Sequence, residues 1–329
     1  MSSSRCAAIR VVAGILRDPH GRVLVARRPA GVPHAGLWEF PGGKVEHGES
    51  DVQALARELR EELGVSIGPA TLFRRVLWPY PKGEVELLAY DVSAFTGEPR
   101  PLHAQSLDWS APRELTGIEM PDADRPIAVA LMLPRQYAVS PEPRDEASYL
   151  AALGRTLASG VRMVQVRAKT LDRARLVDIA AAAVALAHRS GVLALLNGER
   201  DLAAELGFDG VHLRRDQLRE ANRRGLPRAF LIGVSCHDAS ELGAAERAGA
   251  DFATLSPVLT TTSHPGAEGL GWDACARLCA GTHLPVYALG GIGPSELVEA
   301  LAAGAHGAAG ITRFWHDGGM AATSMSLDT

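Results

Sequence analysis

Two patterns of apolar and polar positions follow one another along the chain. In the first part, apolar stretches at 9–15 and 23–28 flank a Pro19–Gly21 turn, which predicts two strands. Residues 50–64 instead carry helix signals: Ser50 and Gln53 match a capping box, and Gly64 suits a left-handed helix end. The apolar positions of that segment recur at helical spacing, at Val52, Leu55, Ala56, Leu59 and Leu63.

The second pattern begins after a proline-rich segment at 141–146. Short apolar runs alternate there with alanine- and leucine-rich stretches such as 171–188 and 294–303. The runs lie at 137–139, 163–166, 193–196, 210–213, 231–234, 252–255, 286–289 and 308–311. Eight strands separated by helices predict a (β/α)8 TIM barrel, so the chain is of the α/β class. We expect domains at 1–133 and 134–317, and a disordered tail at 318–329.

The predicted helix at 50–64 has an unusual acidic face. Glu58, Glu61 and Glu62 are spaced i, i+3 and i+4, so they share one side of a helix and repel each other. A cation over the cluster would remove that repulsion, and carboxylate oxygens suit a hard ion such as Mg2+ that also takes phosphate ligands. The alternative is a solvated acidic surface. The preceding Phe40–Gly43 turn, where a backbone carbonyl such as that of Gly42 could reach a metal, favours the cation site.

The whole segment from Gly43 to Val65 resembles the Nudix box, G-x5-E-x7-R-E-U-x-E-E-x-G-U, where U is an aliphatic residue, at every fixed position. The lead-in from Leu37 to Lys44 resembles MutT-type 8-oxo-dGTP pyrophosphatases, and the likeness runs from about residue 8 to about 133. It implies an α/β/α sandwich with a mixed sheet and Mg2+-dependent hydrolysis of an oxidised nucleoside triphosphate to a nucleoside monophosphate and pyrophosphate, which serves nucleotide-pool sanitation. Mn2+ is expected to substitute for Mg2+.

The same resemblance assigns roles to individual residues. The catalytic group would comprise Glu49, Arg57, Glu58, Glu61 and Glu62, and the metal ligands Gly42, Glu58, Glu61 and Glu62. Arg28 falls where the family has an arginine near the phosphates, and Phe40 falls near the base pocket. Lys44 is a further candidate for a substrate contact, since it could touch the phosphates or simply be solvated.

Two positions depart from the MutT pattern. His103 stands where the family has a glutamate of the metal site, so it is a weaker ligand, a base or no participant. Asp124 stands where the family has an asparagine that reads the purine edge. An ionised aspartate only accepts hydrogen bonds, so base selectivity could differ unless Asp124 is protonated. Asp124 could equally be a turn residue.

The second part of the chain resembles thiamine-phosphate synthases and their TenI relatives over residues 136–315. The likeness rests on 160–169, 195–197, 209–213, 232–237, 256–258 and 288–292. It implies diphosphate contacts from Gln165, Arg167 and Lys169, with Asn197 nearby. Glycine loops after the last two strands, with Gly290, Gly291, Ile311 and Thr312, would hold a phosphate, although a glycine pair is also ordinary turn chemistry.

The Mg2+ site of the synthases is altered in this chain. Gly198 and Gln217 replace the two aspartates that bind the metal in that family, and a lysine expected near His264 is missing. Asp216 or Glu199 could in principle substitute for the aspartates. We therefore expect absent or feeble synthase activity and a possible phosphorylated ligand in the barrel.

Composition excludes several other functions. The net charge is −4, which gives no electrostatic case for nucleic acid polymers, and no apolar run approaches a membrane span. Four cysteines without a C-x-x-C pair suggest a reducing, cytoplasmic location.

Three functional hypotheses remain. The first is a sanitising Nudix hydrolase that acts on a small-molecule nucleotide. The second is a thiamine-pathway enzyme or phosphate-ligand sensor whose Nudix domain trims thiamine-related pyrophosphates, and the third is a non-catalytic binding protein. The oligomeric state stays open.

Overall fold

The structure is a computed structural model that describes residues 8–81, 83–104, 106–261 and 268–316. The chain divides into two compact units between Met132 and Leu133. The predicted tail at 318–329 and the position of His264 lie outside the described residues. None of the helices in the described residues is long and apolar enough to cross a membrane.

The N-terminal unit is built on a mixed four-stranded sheet in the order β4-β1-β7-β6. Strands β1 and β7 run parallel, and the other pairs of this sheet are antiparallel. A three-stranded sheet, β3-β2-β9, and the short pair β5-β8 complete the unit. The strands are β1 (Ile9–Ile15), β2 (Val23–Arg27), β3 (Trp38–Glu39), β4 (Gly42–Lys44), β5 (Ser66–Ile67), β6 (Ala70–Tyr80), β7 (Gly83–Val92), β8 (Phe95–Thr96) and β9 (Ser106–Ser110), and the helices are α1 (Asp51–Leu63) and α2 (Arg125–Met132).

Helix α1 forms where the capping residues predict it. Ser50 and Gln53 make the reciprocal capping box, and Gly64 ends the helix in the left-handed region at φ 71°. Leu55, Leu59 and Leu63 are fully buried, and each contributes about 1.5–3 kcal/mol of burial free energy. These leucines pack against Val12, Leu24 and Leu88 of the sheet.

One part of the predicted apolar stripe is wrong. Val52 is 43% exposed, and Ala54 is buried in its place. The stripe rotates at the first turn because Asp51 faces the sheet side there, where it accepts hydrogen bonds from Arg10 and from Tyr90 of β7.

The C-terminal unit is a closed barrel of eight parallel strands, β10 to β17, paired in chain order, with β10 also pairing with β17. Its strands are β10 (Gln136–Val139), β11 (Met163–Val166), β12 (Leu193–Asn197), β13 (Gly210–Leu213), β14 (Leu231–Cys236), β15 (Phe252–Leu255), β16 (Val286–Ala288) and β17 (Gly307–Gly310). Its helices are α3 (Glu146–Ala158), α4 (Arg173–Arg189), α5 (Arg200–Glu205), α6 (Ala239–Ala248), α7 (Gly271–Ala280) and α8 (Leu297–Ala302). The predicted strands are confirmed to within one or two residues at each end.

Some connections of the barrel are short. Residues 294–303, predicted as one helix, form a 3-10 turn at Pro294–Glu296 followed by α8. A 3-10 segment, Arg215–Glu220, lies between β13 and β14. Such brief connections let eight strand-and-crossover units fit into fewer residues than barrels usually need.

The barrel interior contains a buried histidine among aromatic rings. His212 is 1% exposed, with Nδ1 3.2 Å from Tyr137 Oη and Nε2 3.0 Å from Ser235 Oγ. Burial lowers the pKa of His212 to about 3, so the ring is neutral. His212 is therefore a hydrogen-bonded core residue rather than a metal ligand.

Candidate functional site

The acidic face of α1 is organised by one arginine. Arg57 Nε and Nη2 donate to the two carboxylate oxygens of Glu49 at 2.8 and 2.9 Å. Arg57 Nη1 donates to Glu58 at 2.9 Å and to Glu61 at 3.3 Å. One guanidinium thus holds three of the four predicted carboxylates, and its fixed fork geometry sets their positions.

These contacts determine the charge states of the group. The hydrogen bonds from Arg57, together with the N–H of Glu46, lower the pKa of Glu49 to about 2. The same carboxylates, Glu49 first and then Glu58, raise the pKa of Arg57. Glu49 and Arg57 therefore stay ionised throughout the physiological pH range.

Glu62 lies in a different environment from the other acids. Its Oε2 accepts a hydrogen bond from the Gly42 N–H at 3.1 Å. Burial raises the pKa of Glu62 to about 7, and the Gly42 N–H partly offsets that effect. The backbone of β4 and the helix α1 therefore meet at the Glu62 carboxyl group.

Gly42 and Gly43, which the sequence placed in a turn, instead begin strand β4, and close approach requires glycine at both. A Cβ on Gly42 would fall 2.1 Å from the Val12 carbonyl oxygen, and Gly42 has φ 153°. A Cβ on Gly43 would fall 2.3 Å from the carboxyl carbon of Glu58. Only glycine lets the β4 backbone lie directly against the Glu58 carboxylate.

The donor chemistry of this group fits Mg2+, although the acids are not arranged as a closed cage. Within the described residues, no three His, Cys, Asp or Glu side chains are grouped closely enough to hold a metal by themselves. Arg57 instead supplies the positive charge for Glu49, Glu58 and Glu61. Because Mg2+ usually takes one or two carboxylates and completes its shell with water and substrate phosphates, a closed cage is not needed.

A second group of polar side chains surrounds the predicted base reader. Asp124 is only 6% exposed, and its Oδ1 accepts a hydrogen bond from the Phe40 N–H at 3.3 Å. Burial, followed by the charge of Glu39, raises the pKa of Asp124 to about 8. Asp124 is therefore mainly a neutral carboxylic acid at pH 7, with both a donor and an acceptor oxygen.

Arg28 and Phe40 lie beside Glu39 and Asp124, and their predicted contacts with phosphate and base stay predictions. The Arg28 guanidinium hydrogen-bonds the Glu39 carboxylate, and its Nε donates to the Pro33 carbonyl at 2.7 Å. The Phe40 side chain is 3% exposed and belongs to the hydrophobic core, so only its backbone N–H reaches Asp124. Burial raises the pKa of Glu39, which the sequence analysis did not single out.

The structure does not bring Lys44 and His103 into either group. The Lys44 side chain is exposed, and only its carbonyl takes part, by accepting from Arg57 Nη2 at 3.0 Å. His103 is exposed between β8 and β9. Its role as ligand or base stays a prediction.

In the barrel, Gln165 and Asn197 hydrogen-bond each other near the carboxyl ends of β11 and β12. Asn197 Nδ2 donates to Gln165 Oε1 at 3.1 Å, and Gln165 Nε2 donates to Tyr137 Oη at 2.9 Å. Gln165 is 3% exposed. Its amide is therefore hydrogen-bonded inside the barrel, and its predicted diphosphate contact stays a prediction.

Arg167 and Lys169 lie at the rim, where a ligand could reach them. Arg167 Nη1 is 3.6 Å from Glu142 Oε2. Burial lowers the pKa of Lys169, and the charges of Arg167 and Arg214 lower it further. Arg214, which the sequence analysis did not select, is thus a third cation of this rim.

The glycine loop after β16 is shaped by packing. A Cβ on Gly290 would fall 2.7 Å from Pro257 Cα, and one on Gly291 would fall 2.5 Å from the Thr260 carbonyl oxygen. This supports the turn explanation for the glycines. After β17, Ile311 and Thr312 form a turn, and the next residue, Arg313, donates to Gly291 O at 3.4 Å and to Glu296 at 2.6 Å. Arg313 is a cation that the sequence analysis missed.

A family model described as thiamine monophosphate synthase, TMP-TENI, matches residues 136–314, which is more than half of the chain. The chain belongs to the thiamine monophosphate synthase family. A NUDIX domain model matches residues 8–131, so this member of the family also carries a Nudix domain.

Several relatives resemble the barrel part. A thiamine-phosphate synthase of Thermus thermophilus is 39% identical over 179 residues, which cover 53% of this chain and 85% of the relative. A thiamine-phosphate synthase of Methanoculleus marisnigri is 35% identical over 172 residues, covering 52% of this chain and 82% of the relative. These comparisons do not support the expectation that the barrel lacks synthase activity.

The Nudix part resembles a solved structure of a MutT NUDIX hydrolase from Burkholderia pseudomallei. The two are 31% identical, the match covers 37% of this chain and 95% of that one, and the TM-score is 0.34. The NUDIX family match by itself makes residues 8–131 a Nudix domain, which supports a hydrolase of nucleoside diphosphate-linked compounds. Nudix hydrolases generally use divalent metals such as Mg2+.

Proposed function

We propose that the Nudix domain hydrolyses nucleoside triphosphates with Mg2+, and that 8-oxo-dGTP or a similar oxidised purine nucleotide is the preferred substrate. Attack of water on phosphorus breaks a P–O–P link and gives a nucleoside monophosphate, pyrophosphate and a proton. The observation that carries the proposal is the Arg57-centred group of carboxylates lying against Gly42 and Gly43 of β4.

The residues that would hold the metal are Glu58, Glu61 and Glu62, with the Gly42 carbonyl. When bound there, Mg2+ would neutralise phosphate charge and make water more acidic, and Mn2+ would serve in its place. Arg57 is a positioning residue, because its N–H groups donate four hydrogen bonds to the carboxylates of Glu49, Glu58 and Glu61. A fifth hydrogen bond goes to the Lys44 carbonyl.

Asp124 is the group we assign to the base. As a neutral acid it offers one donor and one acceptor, the same pair that an asparagine side chain offers. That pair complements the adjacent N7–H and O6 of 8-oxoguanine, whereas unmodified guanine presents two acceptors at that edge. Burial of Asp124 therefore supports a base contact over a plain turn role.

The test is a product-release assay across 8-oxo-dGTP, 8-oxo-GTP, dGTP, the other dNTPs and thiamine diphosphate in Mg2+. Glu58→Gln and Glu62→Gln should each lose about 4 kcal/mol of transition-state stabilisation, or roughly a thousandfold in rate. Glu46→Gln is the matched control, since this exposed acid lies in the loop that precedes α1. Near-full activity of both variants would show that the assigned metal site is wrong.

A thiamine-phosphate synthase reaction in the barrel is the second candidate. The identity to synthases from Thermus thermophilus and Methanoculleus marisnigri favours it. Complementation of a thiamine auxotroph at normal expression would support this function. Preferential cleavage of thiamine diphosphate in the release assay would instead favour a Nudix domain that acts on thiamine-related pyrophosphates. Cytoplasmic sanitation of the nucleotide pool stays the physiological setting that we predict.

A further inference from the structure

The ends of β12 and β13 meet at a site where the synthase pattern would place two aspartates and Mg2+. Gly198 follows β12, and the segment from Arg214 to Gln217 follows β13. The Gln217 amide joins the two ends: its Nε2 donates to Gly198 O at 2.8 Å, and its Oε1 accepts from the Arg214 N–H at 3.2 Å. A neutral amide thus replaces one carboxylate, and a glycine replaces the other.

The Arg214 guanidinium occupies the space beside this junction. A side chain at position 198 would begin 3.6 Å from Arg214 Nη1 and 3.3 Å from Gln217 Oε1. A carboxylate at 198 would therefore point at the arginine. The fixed charge at this point is a guanidinium, which cannot be deprotonated in proteins.

Two acids that could have restored a metal site, Asp216 and Glu199, are engaged by arginines. Asp216 accepts from Arg214 Nε at 3.1 Å and from Nη2 at 3.4 Å, and Glu199 accepts from Arg173 at 2.7 Å. Positions 198 and 217 themselves carry no carboxylate, and the Arg214 guanidinium lies beside them, so the residues present do not fit Mg2+.

Arg214 still has hydrogen-bonding capacity for a ligand. Asp216 uses its Nε and Nη2, while Nη1 makes no hydrogen bond to any other described residue. Besides burial, the charges of Arg167 and Arg214 both lower the pKa of Lys169, so these three cations lie near one another. Two carboxylates, those of Glu142 and Asp216, act on Lys169 in the opposite direction, and a third acid, Glu220, lies 3.4 Å from Gln217 Nε2.

There is also space for a ligand at this end of the barrel. A cavity of about 430 Å3 borders both Gly198 and Gln217. Its walls carry three arginines, Arg173, Arg200 and Arg219, and three acids, Glu199, Asp201 and Glu220, so the cavity lining is formally neutral. A phosphate group at the junction could therefore be attached to a larger organic group.

We propose that the barrel binds the phosphate group of a phosphorylated ligand through the Arg214 guanidinium, with Arg167 and Lys169, and that this binding requires no divalent metal. Guanidinium groups bind phosphate oxygens with paired, charge-assisted hydrogen bonds, so one arginine can replace part of what the cation supplies. The inference does not depend on the nucleotide hydrolysis proposed above.

The experiment is calorimetric titration of inorganic phosphate and, in a second arm, pyrophosphate into the full chain. Both arms use the Glu58→Gln/Glu62→Gln background, so that the Nudix domain does not add a Mg2+-dependent signal. Phosphate should bind in EDTA, and adding Mg2+ should change its Kd by less than about twofold, since no metal ligand is involved. Pyrophosphate should bind more tightly than phosphate in EDTA.

Variants then identify the residue. Arg214→Gln should weaken binding about tenfold or more, because it removes a charge-assisted donor. Arg215→Gln is the matched control: Arg215 lies next in the chain, is exposed and pairs with Glu241 at 2.8 Å. The control should bind phosphate as the parent does, and circular dichroism and thermal unfolding should show both variants folded.

A variant that restores the two aspartates and removes the arginine tests directly whether Arg214 takes the place of the metal. Arg214→Gly combined with Gly198→Asp and Gln217→Asp should make phosphate binding dependent on Mg2+. Binding only in Mg2+ by the parent, equal losses in Arg214→Gln and Arg215→Gln, or no phosphate binding in EDTA would each overturn the proposal.

Discussion

The two units of this protein present opposite charges at the places where phosphate chemistry is expected. In the Nudix domain, four carboxylates are arranged around or beside a single arginine, Arg57. At the barrel junction, the arginine Arg214 faces a glycine and a glutamine, and its own carboxylate partner, Asp216, is the next residue but one. The first arrangement needs an added cation to approach phosphate, whereas the second already carries the cation.

This contrast shows that an arginine can have two roles beside carboxylates. Arg57 contacts three acids and has little left for a ligand, so it orders the carboxylates that we propose to hold the metal. Arg214 contacts one acid and keeps an open edge, so it can bind an anion itself. The number of carboxylates around the guanidinium, rather than its presence, distinguishes the two sites.

Removal of divalent metal should give the largest difference in behaviour between the two units. In EDTA, nucleotide hydrolysis should fall by roughly a thousandfold or more, since metal-ion catalysis supplies several kcal/mol. Mg2+ or Mn2+ should restore it. Phosphate binding by the barrel should be unchanged in the same samples. Hydrolysis that persists in EDTA, or barrel binding that disappears, would remove the contrast.

Substitution of Arg57 tests the positioning role in the Nudix domain. Arg57→Gln should lower activity by about 10- to 100-fold, the usual cost of removing a partner of metal ligands. The expected signature is a higher Mg2+ concentration for half-maximal rate, because three carboxylates lose their common partner. Arg60→Gln on the same helix is the control, since Arg60 is exposed. An unchanged Mg2+ dependence would contradict the role given to Arg57.

Asp124 should make stability of the Nudix domain depend on pH. Its folded pKa of about 8 lies above the ordinary aspartate value of 3.8, so the folded state keeps a proton that the unfolded state loses between these values. The stabilisation is complete below about pH 4 and is lost as pH rises through 8, with a slope of up to about 1.4 kcal/mol per pH unit.

Asp124→Asn should remove this slope, so the variant should gain stability relative to the parent as pH rises from 5 to 8. Denaturant unfolding at several pH values measures the difference. Asp122→Asn, an exposed neighbour, is the control. In the release assay, Asp124→Asn should keep the preference for 8-oxo-dGTP at high pH better than the parent. Parallel stability curves for the parent and Asp124→Asn would show that the carboxyl is ionised in the fold.

Much of this molecule was determined by local sequence. Ser50, Gln53 and Gly64 fixed the ends of α1, and the i, i+3, i+4 spacing placed Glu58, Glu61 and Glu62 on one face, because helix geometry depends only on nearby residues. Eight apolar runs likewise predicted eight parallel strands, because a strand that is buried on both faces appears in the sequence as a continuous apolar segment.

The tertiary structure alone decided which polar groups meet. Asp124 touches Phe40 from 84 positions away, and burial there, which no local pattern reports, makes it a neutral acid. Long-range packing also decides that the Val52 side chain is exposed and that the Phe40 and Gln165 side chains are buried. Arg214 and Gly198 are separated along the chain by a helix and a strand, and only closure of the barrel brings the guanidinium to the glycine. Sequence thus determined the elements and their chemistry, and long-range packing determined which charges share a site.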